Sequence, residues 1–139
     1  MKYRILRLLL FASALAWAVS IVGVILPWRF AIIGLNELGA ENIPSDPMLH
    51  YWFRMTAGAF TGTGVFFFIV ALFPRKYSNV IGIIAVLLFL EGLILLFYGL
   101  KLHLPATPFY ADTSFCLLAG SGIWCLRKEA KQENSSSEE

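Results

Sequence analysis

Four side chains hold most of the chemistry available inside the apolar stretches of this sequence: His50, Arg54, Glu91 and Asp112. Glu91 stands near the middle of Val80–Leu100 (VIGIIAVLLFLEGLILLFYGL), an apolar run that no other charge interrupts. A charged carboxyl at that depth costs about 2.5–3.5 kcal/mol on insertion scales, so it is expected to be neutral, paired or turned to a polar interior. Counting about 1.5 Å of rise per residue from the basic helix ends puts Glu91 about 18 Å in, Asp112 about 21 Å and Arg54 about 28 Å. The two acids therefore share nearly one level, and Arg54 stands about two helical turns above Glu91, within reach of a long side chain. His50 precedes Arg54 by four residues and shares its helix face.

Two readings of this group stand side by side. As a site, it is a small polar cavity open to the outer side, with Arg54 paired to Asp112 or Glu91 and His50 at the mouth. Such a site would bind an anionic or quinone-like head group, or pass protons. As structure alone, Arg54 and Asp112 are interfacial and snorkel outward, while Glu91 is a protonated hydrogen-bonding group between helices. For Glu91 an inward role, in ligand binding or in assembly, is favoured, because an acid in mid-membrane is hard to retain idly. No stronger chemistry is legible. His50 and His103 have no Cys or His companion at metal-ligand spacing, and neither a nucleophile elbow nor a phosphate loop is present. No cofactor is expected, and the balance leans away from an enzyme.

The elements that must position these residues are membrane helices. The 139 residues are 58% hydrophobic and 14% charged, where soluble domains carry about 25% charged residues and no apolar runs of this length. The segments of alternating polarity that a membrane barrel needs do not occur. We expect an all-α integral membrane protein, a four-helix bundle with spans at about residues 6–26, 50–73, 79–100 and 109–126. Lys2, Arg4 and Arg7 ahead of the first run suggest a signal peptide, but Pro27-Trp28-Arg29 stands where a cleavage site belongs, so the run is read as a retained span.

Between the first two spans, Phe30–Leu38 is too short and too mixed to cross a bilayer and is expected to lie along the surface. Ser45-Asp46-Pro47 reads as a helix start, with a capping oxygen ahead of proline at the first helical position. The second helix is rich in small residues, and Gly58-x-x-x-Gly62, with Gly64 beyond it, is read as a face for close helix packing. Cys116 and Cys125 fall on opposite sides of one helix and are not expected to bridge. Residues 129–139 (EAKQENSSSEE) read as a polar, disordered tail.

Charge sets the topology. The N-terminus, the turn at 74–79 and the C-terminal segment hold Lys2, Arg4, Arg7, Arg75, Lys76, Arg127, Lys128 and Lys131; the other side holds Arg29, Arg54 and Lys101 beside Glu37, Glu41 and Asp46. Both termini are therefore expected in the cytoplasm. The net charge of +2 arises at the helix ends and points to no nucleic-acid partner.

Arg54–Gly64 (RMTAGAFTGTG), Glu91-Gly92 in the third span and Asp112 in the fourth resemble small bacterial four-helix membrane proteins of unknown function, in the DoxX-like neighbourhood. The resemblance covers roughly residues 50–126, and this chain carries Glu91 in a span where those relatives often carry arginine. It implies a bacterial inner-membrane bundle and, through some members, a link to quinone and thiol redox systems. The function expected is a small binding or accessory protein whose Glu91 region meets a lipid-like ligand or a partner helix. A membrane enzyme or redox accessory acting on a quinone- or sterol-like substrate through Glu91, Asp112, Arg54 and His50 is the alternative, as is a small proton-linked transporter. The bilayer is a partner in every case, with a quinone, a membrane-protein partner or a second copy of the chain as further expectations.

Overall fold

The computed structural model describes residues 1–130, leaving aside the side chains at 107 and 108. Over them it is helical throughout, with no strand: α1 (Lys2–Ala18), α2 (Ile21–Ile25), α3 (Trp28–Glu37), α4 (Pro47–Leu72), α5 (Ser78–Lys101) and α6 (Ala106–Leu126). Three stretches are long and apolar enough to cross a membrane, Lys2–Ile25, Pro47–Leu72 and Ser78–Lys101.

Local chemistry explains the boundaries. The Asp46 carboxylate accepts a hydrogen bond from the Met48 N–H at 2.8 Å, and Pro47 occupies the first helical position, where its missing N–H costs nothing. Pro74 stops α4 after Leu72. Between α1 and α2 the chain tightens without leaving the helical region: Ser20, Val22 and Gly23 each donate to a carbonyl only three residues back. That 3₁₀-like turn bends the first span into one kinked rod. The segment expected at the surface is indeed a separate short helix, α3, and Gly39 turns the chain away from it at φ +96°, a conformation glycine adopts without strain.

The helices pair as two antiparallel hairpins. In the first, α1 and α2 lie along α4; a Cβ on Gly64 would stand 2.5 Å from the Ala18 nitrogen and 2.9 Å from the Ala14 carbonyl oxygen. In the second, α5 lies along α6, with Gly92 against Leu117 and Gly120 against the backbone of Ala85 and Phe89. The hairpins join where α1 meets α6, at Leu9 and Gly122. Although α4 and α5 are consecutive, no comparable close seam runs between them.

The fully buried apolar residues, among them Leu6, Leu10, Val70, Ile81 and Ile123, fill the half of the bundle nearest the termini and the α4–α5 turn. Outward faces are apolar too, with Leu8, Leu15, Ile25 and Leu118 largely exposed. Lipid, not water, suits that surface.

Two expectations need correction. Gly58 and Gly62 do not form a packing face: a Cβ on either would meet nothing within 4 Å. The buried stripe of α4 repeats every seven residues through Ala57, Gly64 and Ala71, and Gly58 and Gly62 fall outside that phase. Glu129 and Ala130, read as the start of a loose tail, are held: Glu129 is 3.8 Å from Lys2 Nζ, and Ala130 is fully buried. The remainder of that tail lies outside the described residues.

Candidate functional site

Half-buried Glu91 and exposed Asp112 line one partly open pocket of about 430 Å³ in the less tightly packed half of the bundle. Antiparallel pairing brings them there, since Gly92 packs on Leu117 and the two acids lie on the facing turns just beside that contact. Trp17 and Ser20 close the cavity from the kink of the first span, Phe60 from α4 and Cys116 from α6. Leu38 reaches it from the end of α3. This helix starts against α4, where Trp28 packs on Phe53, and the glycine that ends it lies against Pro105 of the α5–α6 loop. It thus crosses the end of the bundle opposite the N-terminus.

Glu91 also lines a second space. A lateral cleft of about 530 Å³ opens where α4 and α5 lack a seam, bounded by Phe60, Thr63 and Phe66 on one wall and Ile84, Leu87 and Glu91 on the other. Trp17 stands at the back of both spaces, its ring edge-on to Phe60 with centroids 4.8 Å apart. Glu91, Trp17 and Phe60 line both spaces, so the cleft and the pocket adjoin at these three residues.

The polar groups at this level lack partners. Among the described residues neither carboxylate takes part in a hydrogen bond or ion pair within the chain. The buried Trp17 Nε1–H and the Thr113 hydroxyl beside Asp112 are also unpaired. Buried polar atoms without partners are uncommon in native folds, and the Trp17 indole N–H on the wall shared by both spaces suits a molecule that brings the missing hydrogen bond. Among the described residues no group of three or more His, Cys, Asp or Glu could hold a metal ion.

Arg54 does not join the acids. Its Nε donates to His50 Nε2 at 3.0 Å, its Nη1 to the carbonyl oxygens of Gly23 and Val24 at 2.7 and 2.5 Å, and its Nη2 to that of Leu26. These carbonyls end α2, and the guanidinium satisfies them as a cation at a helix C-terminus should. His50 accepts only as the neutral imidazole with its proton on Nδ1, and it stacks on Trp28 with centroids 4.7 Å apart. The expected pairing of Arg54 with Asp112 or Glu91, and of His50 with the mouth of their cavity, is thus replaced by a separate cluster that ties α2 and α3 to α4.

Comparison with known proteins adds no relative. No family model, curated protein or solved structure matches the chain. The site rests on its own geometry.

Sequence reasoning named the two acids and missed Trp17, Ser20, Thr113 and Cys116. For Trp17 a signal was present, since membrane tryptophans gather at the interfaces and this one falls well inside its apolar run. Cys116 and Cys125 are free, one buried and one exposed, as their spacing on one helix requires.

Proposed function

We propose that this protein is a small inner-membrane binding or accessory protein that takes a lipid-like ligand from the bilayer into the site around Glu91. One observation carries the reading: the same carboxyl borders both the lateral cleft and the adjoining pocket, with no partner among the described residues. The cleft is walled mostly by aromatic and aliphatic side chains, which suits an apolar tail, and the cavity beyond it presents two acids, an indole N–H and a serine hydroxyl, which suit a polar head. With Arg54 committed to α2, the cavity has no basic lining residue, so a head group that donates hydrogen bonds fits better than an anionic one.

In this proposal α6 crosses the membrane beside α5 as a fourth span, supported by its 21-residue length and its packing along α5. Both termini lie in the cytoplasm, supported by the cations at that end of the bundle. The likeness to DoxX-like proteins fits the same bacterial inner-membrane setting. Native mass spectrometry of the gently extracted full chain, wild type against Glu91→Gln, tests the reading. A co-purifying small molecule lost from the variant supports it. Loss of a protein partner or of an oligomer instead makes Glu91 an assembly contact, and identical bare monomers reduce it to a packing group.

A further inference from the structure

A different face of α5 carries a second slot, of about 420 Å³, between α5 and α6. Its floor is the close helix contact at Ala85 and Gly120; its walls are Val86, Phe89 and Leu90 on one side and Trp124 and Cys125 on the other. Val86 is 41% exposed, Leu90 47% and Trp124 45%, so this apolar trough faces outward along its length. At the end nearest the α6 C-terminus its wall is Trp124, on which Arg127 rests. The Arg127 guanidinium lies on the Trp124 ring, its carbon 3.1 Å from the centroid, and its stem passes over Gly82. Its Nη1 is buried and has no acceptor among the described residues.

Glu129, the nearest acid in sequence, is engaged with Lys2, and the next residue, Lys128, is another cation. The end of the slot is therefore positive, with a guanidinium donor unfilled. A planar guanidinium is well shaped for phosphate oxygens, and stacking on tryptophan fixes its plane in advance.

We infer that this slot is a binding site for one anionic phospholipid, with an acyl chain along the trough between α5 and α6 and the phosphate at Arg127. The charge complementarity is what selects this occupant. A phospholipid brings the apolar chain and the anion joined at the right end, whereas an apolar helix face brings no anion. The site lies apart from Glu91 and does not depend on the function proposed for it.

The test is a titration of the full chain in mild detergent, read by native mass spectrometry, with dioleoyl phosphatidylglycerol or dioleoyl phosphatidylcholine as the probe. The wild type is expected to retain one phosphatidylglycerol with an apparent affinity about tenfold above phosphatidylcholine, the size of one good charged contact. Arg127→Gln should remove the preference, while Ser121→Trp, which fills the slot from an exposed position and leaves the charge, should remove the bound lipid. Lys101→Gln, at the other end of α5, should change neither. Unchanged helical circular dichroism in each variant separates loss of the site from loss of the fold. A wild type without preference, or a preference that survives Arg127→Gln or Ser121→Trp, overturns the assignment. Equal loss in Lys101→Gln, which would make the effect one of net charge alone, overturns it as well.

Discussion

Arg54 and Glu91 are both ionisable residues inside long apolar helices, and the fold treats them in opposite ways. Arg54 gives hydrogen bonds to three carbonyls at the end of α2 and to His50. Glu91 faces two open spaces and has no partner among the described residues. Depth alone does not distinguish a functional charge in a membrane helix from a structural one. What distinguishes them is whether the surrounding chain supplies the hydrogen bonds, because an unmet polar group inside a bilayer is costly to keep. By that criterion the Arg54 cluster is architecture, and the acids are the groups to test for a ligand.

The comparison breaks most easily at Arg54. Arg54→Leu removes every donor to the end of α2 and should destabilise the protein by about 3 kcal/mol or more, read as unfolding in mixed micelles with increasing SDS. Arg54→Lys should recover only part of the loss, since an ammonium cannot reproduce the forked geometry. Were Arg54→Leu as stable as wild type but unable to hold a co-purifying small molecule, Arg54 would belong with the acids after all.

The next effect concerns the seam beneath the site. Gly64→Ala puts a methyl group against the α1 backbone and should cost about 1–3 kcal/mol in the same assay. Gly62→Ala, on the open wall of the cleft, should be neutral or stabilising by up to about 1 kcal/mol, because alanine is the better helix former and nothing obstructs it. The pair tests which glycines hold the hairpin together. Equal losses at both positions would restore the packing face read at Gly58 and Gly62.

That contrast also marks what the sequence makes legible. Apolar run lengths and the Asp46-Pro47 start are local signals, and they locate the helices to within a few residues. The common level of Glu91 and Asp112 follows from rise alone, because α5 and α6 are neighbours joined by a short turn. Arg54 was not legible in the same way. The direction of its side chain is set by where the kinked first span ends beside α4, a tertiary fact that no spacing encodes. The phase of α4 was ambiguous for a related reason: with Gly, Ala or Thr at nearly every position from 56 to 64, several faces look equally suited to packing. The close approach of the α1 backbone at Ala14 and Ala18 selects Gly64, and that of Gly23 on α2 selects Ala57.

A smaller effect is expected at His50. His50→Phe keeps a ring to stack on Trp28 and removes the acceptor for Arg54 Nε, so about 1 kcal/mol should be lost. Asn at the same position offers an oxygen but no stack. If both variants match wild type, the link from α3 to α4 runs through Phe53 and Trp28 alone.

The smallest stability effect should come from the residues given the largest functional role. Glu91→Gln and Asp112→Asn replace groups that hold nothing else in place, so each should shift unfolding by less than about 0.5 kcal/mol. Each should also deplete any bound small molecule, because an amide offers a different hydrogen-bonding pattern from a carboxyl. The double variant discriminates further. If both acids serve one ligand in the cavity they share, the second substitution adds little to the loss caused by the first, as coupled contacts to one molecule should. If the losses add in full, the acids act at separate places, with Glu91 serving the cleft and Asp112 the interior. A stability loss well above 1 kcal/mol at Glu91 would mean instead that its carboxyl makes a structural hydrogen bond, placing it with Arg54 in the architecture of the bundle.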